Sequence, residues 1–159
     1  AQIEHGVQVV QIFDSWGGLL SHDSYFEFSL SYMSQIIKGI KDLHGDNIPI
    51  ILYTKGGGQW ISGIADTNCD CIGIDWTTNI GTARKKVGNV VSIQGNLDPS
   101  VLLSDKRIIR SEVSKIMESF GSYPGHIFNL GHGITPDVKP ENVNEMIMAV
   151  HDFTQRSNR

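Results

Sequence analysis

Five times along the chain, an apolar β-rich run is followed by a stretch with helical periodicity, and this order constrains the fold more than any other feature. The runs are VQVVQIF (7–13), IPIILYT (48–54), CIGID (71–75), VVSIQ (90–94) and GHIFNL (125–130). In the first helical stretch, roughly 23–43, Phe26, Leu30, Met33, Ile37 and Ile40 recur at three- and four-residue spacing, which marks one helix face. QWISGIADTN (59–68), TTNIGTARKKVG (77–88), a segment at about 105–120 and PENVNEMIMAVHDF (140–153) supply the other helices, with Pro140 suited to a first helical turn. Strand-then-helix units in unbroken succession predict a parallel sheet with right-handed crossovers. No linker or low-complexity segment interrupts the order.

Two architectures fit such a chain, an open doubly wound sheet and part of a (β/α)8 barrel. The unusual residues decide between them. FDSWGG, KGGG, DW, QGNLDP and GHG each follow a strand directly, so all the candidate sites fall at strand C-terminal ends. A barrel carries its chemistry there, whereas an open sheet concentrates it near one switch point. KGGGQW is neither GxGxxG nor GxxxxGK[ST], so no dinucleotide or P-loop signature is present. The expected fold is therefore a barrel lacking three of its eight units.

Composition adds bounds. With 159 residues, 40% hydrophobic and 19% charged, the chain suits one soluble α/β domain with a sizeable core. A net charge of −4 argues against nucleic acid as a partner, and no apolar run is long enough to cross a bilayer. Cys69 and Cys71 are too close for an unstrained disulfide and lack a second half for a metal site. Both are expected to be small strand residues in a reducing compartment. The opening AQIEHG reads as the last turn of a helix closed by Gly6, so the chain is expected to begin inside a longer protein.

QIFDSW, KGGG, IGIDW, QGNLDP and NLGHGITPD, in this order and spacing, closely resemble the C-terminal half of the uroporphyrinogen decarboxylase family, from about Val7 to His151. Each piece alone is weak; the combination is specific. The resemblance implies that residues 1–159 form a partial TIM-barrel domain, the C-terminal five βα units of a (β/α)8 barrel with parallel strands, with the N-terminal units missing. It implies a decarboxylase that converts the four acetate side chains of uroporphyrinogen to methyl groups, giving coproporphyrinogen. No cofactor or metal is implied, and the parent is expected to be a cytoplasmic homodimer (plastid in a plant). Ser15 and His132 fall at substrate-contacting positions of the family and Phe13 at a cleft-lining aromatic. The family's arginine-rich loop, its pyrrole-binding aspartate and its cleft tyrosine match nothing here, so the chain alone is expected to be inactive.

The residues bear their own readings. His132 is either an incidental turn histidine or an imidazole that bonds a substrate carboxylate. Ser15 either contacts substrate or caps the following helix. Lys55, the clear cation of the strand-end loops, is either solvated or paired with Asp75. Gly56–Gly58 suit a tight turn, Asp75 and Trp76 a hydrogen-bonded barrel rim, and Asn96 and Asp98 loop shaping. The other basic clusters, Arg84–Lys86 and Lys106, Arg107 and Arg110, are placed on helices. Two rival readings remain: a non-catalytic remnant, and a zinc-dependent methyltransferase of the same fold. The second is disfavoured because Lys55-Gly56-Gly57 offers no ligand where those proteins carry a metal pair. Five strands cannot close a barrel, so the first and last are expected to need a neighbour.

Overall fold

The computed structural model describes residues 1–157. One sheet holds five parallel strands in chain order: β1 (Val10–Asp14), β2 (Ile50–Thr54), β3 (Cys71–Gly73), β4 (Ser92–Leu97) and β5 (His126–Leu130). The order never reverses, so the sheet has no switch point, and this favours the barrel over the doubly wound alternative. Between the strands run α1 (His22–Tyr25), a π-helical turn (Phe26–Leu30) and α2 (Ser31–His44), then α3 (Ile61–Ala65), α4 (Ile80–Val87) and α5 (Lys106–Phe120). The last helix, α6, covers Pro140–Ser157. No helix among the described residues is long and apolar enough to cross a membrane.

Alternate strand residues point to opposite faces. Ile50, Leu52, Ile72 and Ile93 are completely buried on the face that the helices cover, against Ile37, Ile61 and Ile64. Each such side chain contributes roughly 1.5–3 kcal/mol of hydrophobic stabilisation. A second cluster, Leu97, Leu102, Ile109, Val113 and Ala149, joins α5 and α6 to the end of β4. Glu145 of α6 bridges Lys106 and Arg110 of α5, and Arg110 also reaches Asp152. Residues of the other parity line the concave face: Gln11, Phe13, Tyr53 and Gln94. At the two flanks apolar side chains remain exposed, among them Phe13, Trp16, Phe28 and Tyr32 on the β1 side and Ile127, Ile134 and Met148 on the β5 side.

Several boundaries differ from the sequence reading. The helix expected at 23–43 widens by a π turn at Phe26–Leu30. The helix expected at 59–68 is a 3-10 turn over Gly57–Trp60 followed by only five α residues; it ends before Asn68, which adopts a left-handed φ of 65°. The third strand stops at Gly73 rather than residue 75. The fourth runs over 92–97, not 90–94, because Gly95, Asn96 and Leu97 pair with Phe128, Asn129 and Leu130. Cross-strand pairing thus overrides the turn preference of Gly-Asn. Cys69 and Cys71 are free and buried, but only Cys71 lies in a strand; Cys69 precedes it, and Gly6 closes a helical turn from Ala1 at φ 90°.

Candidate functional site

The strand ends carry a connected rim. At the exit of β1, Asp14 Oδ1 accepts from the N–H groups of Trp16 (3.2 Å) and Gly17 (2.7 Å), and Oδ2 accepts from Ser29 Oγ at 2.5 Å. Asp14 therefore caps the turn, not Ser15. A carboxylate offers two oxygens to three donors, which a hydroxyl cannot. Ser15 is exposed and makes no side-chain hydrogen bond among the described residues.

After β2 the chain turns tightly through KGGG. Gly56 has φ 73°, and its N–H donates to the carboxylate of Asp75, which also accepts from Thr77 N (3.0 Å) and Thr77 Oγ1 (2.5 Å). Asp75 is 2% exposed and anchors this turn from β3's exit. The alternative pairing with Lys55 is not made; Lys55 Nζ lies 5.8 Å from the ring centre of Trp76, a cation–π contact. A Cβ on Gly18 would meet Lys55 O at 2.1 Å, so the β1 and β2 loops touch backbone to backbone. The amide of buried Asn96 donates to Asp75 O (2.8 Å) and Thr78 O (2.6 Å), and Asp98 accepts from Ser100 N and Oγ. The hydrogen-bonded rim role expected for Asp75 and the loop-shaping role expected for Asp98 agree with these bonds, whereas Asn96 lies within β4 and braces the loop after β3.

His132 sits in the loop after β5. Its ring lies 6.2 Å from that of Tyr53, 10° from parallel, and 6.3 Å from Trp76. Phe13 meets Tyr53 edge-on at 6.0 Å and 62°. Phe13 and His132, from opposite ends of the chain, thus converge on one tyrosine, with Ser15 two residues beyond Phe13 on the same rim. The imidazole is exposed, not buried; the concave side of this five-stranded sheet is open. Of the two glycines around His132, Gly131 is the constrained one, since a Cβ there would lie 2.5 Å from Trp76 N, while Gly133 has open space.

Tyr53 is the residue that sequence reasoning missed. It occupies the end of an apolar run, IPIILYT, where an aromatic reads as core. Its only signal was one hydroxyl in a strand buried along its whole length. The phenol donates to Gly131 O at 2.8 Å, and burial, with Asp75 adding to it, pushes its pKa up to about 12. It stays protonated at neutral pH. Among the described residues, no three His, Cys, Asp or Glu side chains converge as a metal-ligand set.

The family profile of uroporphyrinogen decarboxylase matches residues 1–153. The chain belongs to the uroporphyrinogen decarboxylase family. It is 55% identical over 157 residues to uroporphyrinogen decarboxylase of Alcanivorax borkumensis, covering 98% of this chain and 44% of that protein. The Legionella pneumophila (strain Lens) enzyme is 56% identical over 153 residues, covering 96% and 43%. The chain thus spans less than half the length of these curated relatives. Among solved structures, a methyltransferase from Methanosarcina mazei superposes with a TM-score of 0.80 at 21% identity, covering 96% of this chain and 44% of that one. A putative vitamin-B12 independent methionine synthase from Listeria monocytogenes gives 0.62 at 12% identity, covering 94% and 49%. At such identities the likeness is one of fold alone, a partial TIM barrel. The family membership, by contrast, rests on sequence.

Proposed function

We propose that this domain is the C-terminal five βα units of a cytoplasmic, homodimeric uroporphyrinogen decarboxylase, in which Phe13, Ser15 and His132 contact substrate. One observation carries the reading: Phe13 and His132, 119 residues apart in the chain, meet on a single tyrosine at the strand ends.

The chemistry explains what the rim would do and what it lacks. Loss of carbon dioxide from an acetate on a pyrrole needs an electron sink, which ring protonation provides. A nearby carboxylate stabilises the cation that results, and a general acid reprotonates the new methylene. The substrate carries eight carboxylates, so its site requires several cations. Here Lys55 lies at the rim beside Trp76 and His132 adds a cation when protonated, while Arg110 is held by Glu145 and Asp152 on the helical layer. In this reading Phe13 packs against the macrocycle, Ser15 and His132 hydrogen-bond its carboxylates, and the remaining cationic grip comes from the region the relatives carry upstream. No cofactor enters the scheme.

The test is a chimera that joins residues 7–159 to the upstream region of the Alcanivorax borkumensis enzyme. Formation of coproporphyrinogen is expected from the chimera and not from the chain alone. A folded chimera without turnover would favour the non-catalytic remnant instead.

A further inference from the structure

Tyr53 links β2 to the loop after β5, a strand that is not its neighbour in the sheet, and proton counting at its hydroxyl has a consequence for His132. The phenol has one proton. Its oxygen lies 2.8 Å from the carbonyl oxygen of Gly131, which can only accept, so the proton is committed there. The same oxygen lies 3.4 Å from His132 Nδ1. With its proton spent, it can serve that contact only as an acceptor. As a hydrogen bond, that contact takes its proton from the ring nitrogen.

The backbone around the contact is fixed from several sides. Gly131 N donates to Leu97 O at 2.7 Å, while its carbonyl receives the phenol, so this residue is held between β4 and β2. The Cα of Gly131 packs against the Trp76 backbone too closely for any side chain. Tyr53 itself is 5% exposed and cannot swing away from the imidazole beside it.

We infer that Tyr53 is a positioning residue that holds neutral His132 as its Nδ1–H tautomer and leaves Nε2 as the nitrogen available to a ligand. A histidine's free nitrogen takes the role opposite to the one its hydrogen-bonded partner sets. Nε2 is then an acceptor when the ring is neutral and a donor when it is protonated. A substrate carboxylate at Nε2 is bound by the imidazolium. This last step rests on the proposed substrate contact of His132; the tautomer does not.

Two-bond ¹H–¹⁵N correlation on the full chain with ¹⁵N-labelled histidine, above the titration of the ring, tests the tautomer directly. His22 Nδ1 accepts from Trp60 Nε1 and His126 Nε2 donates to Gly95 O, so both supply Nε2–H reference patterns in the same spectrum. His132 is expected to show the opposite pattern, and Tyr53→Phe to shift it toward Nε2–H. An Nε2–H pattern in the unaltered chain, or no change in the variant, would overturn the inference; the first needs no variant to fold. In the chimera, Tyr53→Phe is expected to raise KM roughly three- to tenfold with a smaller change in kcat. The expected tautomer with an unmoved KM would leave Tyr53 as assigned and refute the substrate contact of His132.

Discussion

The side-chain amide of Gln94 in β4 donates to the side-chain oxygen of Gln11 in β1 at 3.2 Å, although β2 and β3 lie between them. In a flat sheet these strands would stand about 14 Å apart, three spacings of about 4.8 Å. The pair can meet only because the sheet curls, so it records barrel curvature in a chain whose strands do not close. Gln94 is 7% exposed. Gln11→Leu should leave its amide without this partner and cost about 1–2 kcal/mol, read as a lower urea midpoint. An unchanged midpoint would mean the bond follows the curvature without stabilising it.

The flanks of the sheet predict how the chain behaves in solution. β1 and β5 are its outer strands, and Trp16 and Leu19 beside β1 are 75% and 78% exposed. Open strand edges beside apolar surface pair with other chains. Small-angle scattering of the chain alone should report a mass above 17.6 kDa that rises with concentration. A monodisperse monomer would show that these surfaces need no cover.

In the chimera, His132→Asn should lower turnover or affinity roughly ten- to a hundredfold, the worth of a charge-assisted hydrogen bond of about 1.5–3 kcal/mol. Its exposure predicts little change in stability. Ser15→Ala should cost less, about 0.5–1.5 kcal/mol for a neutral hydroxyl. If His132→Asn lowers the denaturation midpoint and leaves the kinetics normal, its role is structural. Equal kinetic losses for the two variants would mean that Ser15 does more than position substrate.

Acid sensitivity should trace to another histidine. His126 in β5 stacks on Phe120 at 4.4 Å and 19°, and Nε2 donates to Gly95 O at 3.0 Å. Burial pushes its pKa below 6.5. The unfolded chain then binds the proton more readily, so the stabilisation is complete above the unfolded value and is lost as pH falls below it. The urea midpoint should drop as pH falls below the ordinary histidine range, and His126→Gln should flatten that slope. Parallel slopes would assign the acid sensitivity to other groups.

The strand–helix order, the apolar face of the first long helix and the rim positions were legible in the sequence, because apolar spacing and the placing of unusual residues after strands are local signals. So was the family, through motifs whose order and spacing the sequence carries whole. Tertiary structure decided what depends on partners distant along the chain. Asp14 rather than Ser15 caps the first turn because Ser29 and two loop amides reach it. Lys55 lies over Trp76 instead of pairing with Asp75 because Asp75 is already occupied by Gly56 and Thr77. β4 continues through Gly-Asn-Leu because β5 supplies its hydrogen bonds. Tyr53 meets Phe13, Gly131 and His132 only when curvature brings β2 to the loop after β5, and a side chain's contacts across a curled sheet leave no periodicity in the sequence from which to read them.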